Sequence, residues 1–245
     1  MHLLRSRIAL ICALALLISC GNEVTHSSLD AFVSSEASKQ AFEIIETIDY
    51  LPFAFKDDGC YARAFFMAME LAARGIPSSS QFIAGDLHPT AKLSWRYHVA
   101  PMLIVGNRRE ATIIDPSLLP SPAPLDSWVR SNNPVGKISL SAVPGSFYRP
   151  NSPAAPSEQR IVASFSEMPA FDVSNVREAC STLYSYLGNE NAPNVTQKRA
   201  KLAERAQLLI QELSRRGKLR LDGPMGSMSH ENMAEACSEF GPLTL

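Results

Sequence analysis

The hydrophobic positions of the chain fall into segments with helical spacing. Between residues 35 and 51 apolar side chains recur every three or four positions, which predicts an amphipathic helix capped by Ser34 or Ser35. Residues 60–74 are apolar on almost every side and end at Gly75, which predicts a buried helix. Residues 196–217 carry one apolar stripe and predict a helix that packs on the domain.

Three segments rich in β-branched and aromatic residues predict strands at 80–85, 96–105 and 110–118. A two-residue turn at Gly106 and Asn107 between the last two strands would place His98 directly opposite Asp115. A four-residue loop would instead place His98 opposite Ser117. Pro101 inside the strand predicts a sheet edge or a bulge, which would shift the register.

The first residues have the pattern of an export signal. Two arginines precede the apolar stretch 8–18, and Ser19 stands before Cys20 in a sequence, "LISC", that resembles a bacterial lipobox. We expect cleavage before Cys20, lipidation of its thiol and anchoring to a membrane of the bacterial cell envelope, specifically the outer membrane. An ordinary secretory signal that happens to contain Cys20 is the alternative.

Composition limits the partners of the exported part. Residues 20–245 carry 21 basic and 24 acidic side chains, a net charge of −3, which gives no indication of nucleic acid binding. Export implies an oxidising compartment, so the odd number of cysteines at 60, 180 and 237 leaves at least one thiol unpaired. Pairing Cys180 with Cys237 is the economical choice and leaves Cys60 free.

The candidate chemistry centres on this free thiol. Cys60 begins the predicted buried helix, whose N-terminus favours a thiolate, and a histidine braced by a carboxylate is what such a nucleophile needs as its base. Gly59 would let a substrate approach the backbone. Trp95 would line the substrate channel or pack in the core. Cys60 as a packing residue is the alternative. No CxxC pair or HExxH motif occurs, so we predict no metal or cofactor.

Five motifs carry a resemblance to a known family. In chain order they are DGCYARA (58–64), SWRYHVA (94–100), IIDPSL (113–118), SWVR (127–130) and FYRP (147–150). They resemble the catalytic domain of bacterial protein glutaminase over residues 57 to about 153. The resemblance implies an α+β fold similar to transglutaminases and papain-like enzymes, in which a nucleophile helix packs against an antiparallel sheet. It further implies Cys60 as nucleophile, His98 as base and Asp115 as the acid, with Phe65 where the family has a histidine.

These observations together divide the chain and suggest a function. We expect a signal peptide at 1–19, a linker and helix at 20–56, a catalytic core at 57–153 and a mainly helical C-terminal extension at 154–245. The predicted activity is hydrolysis of glutamine side chains, in a protein or peptide substrate, to glutamate and ammonia through a thioester. The alternatives are a transglutaminase or a cysteine protease with the same three residues, or a binding lipoprotein without catalysis.

Overall fold

The computed structural model describes residues 32–148, 169–189, 194–221 and Cys237. The predicted signal segment, Cys20 and the last two residues of the FYRP motif lie outside these ranges. Within them, no helix combines the length and apolar character needed to cross a bilayer.

Five strands form one antiparallel sheet. They are β1 (Ser79–Thr90), β2 (Leu93–Val105), β3 (Glu110–Ile113), β4 (Ala123–Pro124) and β5 (Pro134–Pro144), in the spatial order β4-β3-β2-β1-β5. The long strands β1 and β2 lie inside the sheet, and every residue of β2 from 98 to 105 is buried. A second pair, β6 (Phe171–Asp172) and β7 (Leu219–Arg220), is parallel.

The helices pack against one another and against the sheet. They are α1 (Ser35–Glu46), α2 (Cys60–Ala73), α3 (Leu125–Ser131), α4 (Val173–Asn189) and α5 (Val195–Arg215). The Ser34 hydroxyl accepts a hydrogen bond from the Ala37 N–H at 3.0 Å, so α1 begins at the predicted cap. The predicted α+β class, with an antiparallel sheet and a helical C-terminal part, is confirmed.

Helix α2 is the centre of the hydrophobic core. All of its residues except Ala72 are buried, because β2 and β1 cover one side while α4 and α5 cover another. Phe65 packs edge-on against Tyr148 and Phe171, with ring centroids 5.1 and 5.4 Å away. The aromatic ring at this position therefore joins the nucleophile helix to the C-terminal segment through apolar contact.

A buried carboxylate and a disulfide also hold the C-terminal helices. Glu70 of α2 accepts two hydrogen bonds of 2.7 Å from Arg205 of α5, and further ones from Tyr50 and Arg74. Burial acts to raise the pKa of Glu70, but these donors hold it below its usual value. In α4, Cys180 is joined to Cys237 by a disulfide. The described residues from 169 onward thus share one core with the described residues of 57–148.

The predicted two-residue hairpin turn is wrong. Val105 pairs with Glu110, so residues 106–109 form a four-residue loop closed by the Arg109 N–H donating to the Gly106 carbonyl at 3.0 Å. Arg109 adopts the left-handed conformation (φ 56°) that this loop requires. The two registers differ by two residues and keep every side chain on the same face, so the hydrophobic pattern could not distinguish them.

The consequence is that His98 and Asp115 are not opposite one another in the sheet, as the two-residue turn predicted. His98 pairs with Ile83 of β1, and β3 ends at Ile113. Pro101 lies inside the sheet without a register shift: its carbonyl accepts the Ile114 N–H at 2.9 Å, but it has no N–H to return. Pairing between β2 and β3 therefore stops there, and the chain turns away at Asp115.

Candidate active site

Cys60 is the first residue of α2. The residue before it, Gly59, has φ 79° and is the N-cap without a side-chain hydrogen bond to the helix, so Cys60 stands in the first turn, whose N–H groups have no partner within the helix. Among the described cysteines Cys60 is the free one, and its side chain is 8% exposed. The sulfur therefore lies at the positive end of the helix dipole.

The segment before Cys60 is held from inside the core by Arg63. This buried guanidinium donates to the carbonyl oxygens of Phe55 at 2.7 Å, Asp58 at 3.0 Å and Pro52 at 3.3 Å. Burial lowers the pKa of Arg63, while the neighbouring Cys60, Asp115 and Asp58 raise it and offset part of that effect. Arg63 therefore fixes the backbone of the nucleophile segment and places a buried cation near Cys60.

His98 lies on β2 with its side chain 2% exposed. Its Nε2 is 2.8 Å from Asp115 Oδ2, and the ring stacks on Trp95 at 4.7 Å between centroids. In a flat strand residues 95 and 98 point to opposite faces; the register shift between β1 and β2 beside Trp95 increases the local twist and allows this contact.

The protonation of His98 follows from its neighbours. Burial alone lowers the pKa of His98, but the charge and hydrogen bond of Asp115, with a smaller contribution from Cys60, raise it to about 9. The second ring nitrogen, Nδ1, has no hydrogen bond of standard geometry among the described residues, whereas the Cys60 side chain is close enough to interact with the imidazole. Nδ1 is thus the nitrogen left to exchange a proton with the thiol.

Asp115 reaches His98 from a turn, not from a paired strand. Its Oδ1 accepts the Ser117 N–H at 3.1 Å, and its carbonyl accepts the Leu119 N–H at 2.9 Å. Its Oδ2 accepts the Trp128 indole N–H at 2.8 Å in addition to His98. Burial acts to raise the pKa of Asp115, but His98 and Trp128 hold it below its usual value. The carboxylate is therefore charged and fixed in place.

The thiol and the imidazole open into one cleft of about 640 Å³. Its lining includes Cys60, Arg63, Asp58, Trp95, Tyr97 and His98. The Tyr97 hydroxyl is hydrogen-bonded with the Cys60 side chain, and burial followed by the charge of Cys60 raises the Tyr97 pKa. The structure thus places Cys60, His98, Asp115 and Trp95 together, with Trp95 half-buried in the cleft wall.

Gly59 has a different environment from the one predicted. It is buried, and a side chain on it would meet Tyr186 of α4, with the Cβ 2.4 Å from two ring atoms. The space left by the glycine is therefore filled by a protein side chain and not by the cleft.

Three polar side chains of the site escaped the sequence reasoning. Arg63 is one of the two charged residues, with Glu70, in the otherwise apolar helix α2, and this could have marked it as a buried functional group. Trp128 and Tyr97 lie inside quoted motifs, but nothing in their spacing predicts that they contact Asp115 and Cys60.

Part of the chain matches a known protein family. Residues 33–132 match the family model described as Glutaminase. Because of this similarity we call residues 33–132 the glutaminase-family segment. The predicted resemblance is thereby confirmed. The glutaminase-family segment contains Cys60, His98, Asp115 and Trp128 and ends before α4 and α5.

Solved structures of protein-glutaminase are similar to the chain. A crystal structure of protein-glutaminase is 24% identical, covering 54% of this chain and 82% of that one, with a TM-score of 0.46. The NMR structure of protein-glutaminase from Chryseobacterium proteolyticum is 23% identical, covering 68% and 96%, with a TM-score of 0.49. The A47Q2 mutant of pro-protein-glutaminase is 22% identical, covering 69% and 64%, and its TM-score of 0.51 shows a shared fold. No curated protein matches significantly.

The Trp128 hydrogen bond generates a stability prediction. Trp128→Phe keeps the buried ring but leaves the buried Asp115 carboxylate without one donor, so we expect a loss of about 1–3 kcal/mol in the free energy of unfolding. Urea denaturation at pH 7 measures it. The matched control is Trp95→Phe, which removes an indole N–H from the neutral, part-buried Lys56 carbonyl and should cost about 1 kcal/mol or less. Equal losses in the two variants would contradict the assignment.

Proposed function

We propose that the protein is a cysteine-dependent deamidase that hydrolyses glutamine side chains of proteins or peptides to glutamate and ammonia. The observation that carries this proposal is the buried His98–Asp115 pair beside Cys60, at the start of a helix and in an open cleft. The glutaminase-family segment over residues 33–132 supports the substrate class.

The first half of the reaction forms a thioester. The Cys60 sulfur, deprotonated by His98, attacks the carboxamide carbon of the glutamine side chain, and the carbonyl oxygen becomes an oxyanion. The free N–H groups at the start of α2 stabilise this oxyanion. His98 then gives its proton to the nitrogen, the C–N bond breaks and ammonia leaves.

The second half returns the enzyme to its starting state. A water molecule takes the place of ammonia, His98 removes its proton, and the hydroxide attacks the thioester carbon. The C–S bond breaks, the product is a glutamate side chain, and the proton on His98 re-forms the pair with the Cys60 thiolate. Asp115 accepts the His98 Nε2–H throughout, so Nδ1 remains the reacting nitrogen.

Ammonia release from a glutamine-containing protein tests this function. The chain is incubated with such a protein, and ammonia, chain length and cross-linking are followed together. We expect ammonia without cleavage or cross-linking, and a loss of at least about 10³-fold in kcat for Cys60→Ser. Cross-linked product would instead identify a transglutaminase and cleavage a protease. Equal ammonia from Cys60→Ser would contradict the role of the thiol.

The raised pKa of His98 predicts the alkaline limit of activity. The protonated imidazole supplies the proton that ammonia needs, so kcat/KM should fall as pH rises through about 9. The folded pKa lies above the ordinary value of about 6.5. The stability contributed by His98 is therefore complete below about 6.5 and lost as pH rises towards about 9.

A variant of Asp115 provides the check on this pH dependence. Asp115→Asn removes the charge that raises the His98 pKa, so the alkaline limb should move to lower pH. Unfolding free energies measured at the same pH values separate this effect from denaturation. A limb that stays near 9 in Asp115→Asn would show that another group controls it.

We also propose that the mature protein begins at Cys20 and is lipid-anchored at the outer membrane of the bacterial cell envelope. The apolar stretch 8–18 followed by Ser19 and Cys20 supports this. Expression of the full chain in a bacterium should give a membrane-bound protein that carries a lipid mass, and Cys20→Ala should release it from the membrane. Wild-type protein without lipid would contradict the proposal.

A further inference from the structure

One side chain of α4 reaches the segment that precedes the nucleophile. The Tyr186 hydroxyl donates to Asp58 Oδ2 at 2.7 Å, although 128 positions separate the two residues. Its ring stacks on Phe55 with centroids 4.7 Å apart. Because α4 follows the glutaminase-family segment, this contact joins a part of the chain outside that segment to the edge of the cleft.

Asp58 connects Tyr186 to the start of α2. Its second carboxylate oxygen, Oδ1, accepts the Gly59 N–H at 2.7 Å. The same carboxylate group therefore binds Tyr186 on one side and the capping residue of the nucleophile helix on the other. Asp58 also lines the cleft, so its placement shapes the space beside Cys60.

The Tyr186 ring packs against Gly59. With φ 79°, Gly59 has a conformation that side chains disfavour, and any Cβ would lie 2.4 Å from Tyr186 Cδ2 and Cε2. The Tyr186 ring thus occupies the space that the glycine leaves open. Backbone conformation and ring position at the first turn of α2 depend on one another.

The segment is held from two sides. Arg63 binds the backbone carbonyls of Phe55 and Asp58 from within the core. Tyr186 contacts the side chains of the same two residues, by stacking and by a hydrogen bond. Neither contact replaces the other, because one fixes the backbone and the other fixes the side chains.

We infer that Tyr186 is a positioning residue of the active site: by binding Asp58 and filling the space at Gly59, it sets where the Cys60 sulfur and the first N–H groups of α2 face His98. For catalysis, this inference rests on the proposed deamidase function. The reactivity of the Cys60 thiol is a separate measure of the same geometry, since the thiolate depends on the helix N-terminus and on His98. Small displacements of reacting groups are costly, which is why such a contact matters.

The test compares two tyrosines of the same helix in the full chain. Tyr186→Phe keeps the ring and removes the hydrogen bond to Asp58. The matched control is Tyr184→Phe, whose ring lies under the Arg199 guanidinium at 4.4 Å and keeps that contact as phenylalanine. The first readout is the rate of Cys60 alkylation by iodoacetamide as a function of pH, measured on the Cys60 peptide by mass spectrometry.

We expect Tyr186→Phe to slow Cys60 alkylation about tenfold, the size of effect that loss of a hydrogen bond to a charged group produces. Tyr184→Phe should stay within about twofold of wild type. In ammonia release, Tyr186→Phe should lower kcat in parallel with alkylation and change KM by less than about twofold. A change that was only structural would follow the folded fraction, which unfolding curves measure independently.

A double-mutant cycle identifies the route of the effect. In a chain that already carries Asp58→Ala, adding Tyr186→Phe should slow alkylation no further, because the hydrogen bond between the two side chains is already absent. Additive losses would mean that Tyr186 does not act through Asp58 and would overturn the inference. Tyr186→Ala, which also vacates the space at Gly59, should be slower than Tyr186→Phe.

The outcomes separate this inference from the proposed function. Wild-type alkylation and kcat in both folded Tyr186 variants would overturn the positioning role and leave the deamidase proposal intact. An equal loss in Tyr184→Phe would overturn it as well. If wild-type protein releases no ammonia, the deamidase proposal fails, and the alkylation rates of the two tyrosine variants still decide whether Tyr186 positions Cys60.

Discussion

Helix α2 is apolar around its circumference, so it is stable only if other elements cover it on every side. The sheet covers one side, and α4 and α5 cover another. The cover is incomplete at the start of the helix, because residues 93–97 of the neighbouring strand β2 are partly exposed and its buried run begins only at His98. Cys60 therefore lies at the boundary between the core and the cleft. The burial of one helix decides where the reactive thiol can meet solvent and substrate.

Burial also explains the polar connections of the site. His98, Asp115 and Arg63 are each 2% exposed or less, and charges at that depth require partners. Asp115 accepts bonds from His98, Trp128 and the Ser117 backbone, while Arg63 donates to three carbonyl oxygens. Each bond that satisfies a buried group also restricts its orientation. Burial thus gives the active site both a low dielectric and a fixed geometry.

The C-terminal helices are part of the active-site architecture. The segment that matches the family model ends at residue 132, yet α4 and α5 complete the core around α2. Arg205 of α5 binds Glu70 of α2, and Tyr186 of α4 packs against Gly59, the N-cap of α2. Sequence alone offered only an amphipathic stripe and two cysteines for this region. It could not show which surface they cover, because one apolar stripe fits many partners equally well. Tyr186 carried no signal, since its role depends on a glycine more than a hundred positions earlier.

The local elements and the types of the reactive residues are predictable from the amino-acid sequence. Apolar spacing is a property of neighbouring residues, so α1, α2, β2 and α5 are predicted close to their observed bounds. The way in which these elements pack together is visible only in the folded chain. A two-residue change of register leaves the hydrophobic pattern unchanged, so only the closed loop at 106–109 and the missing N–H of Pro101 set where β3 ends and Asp115 turns toward His98. Contacts between distant residues, such as Trp128 with Asp115, depend on that arrangement and have no local signature.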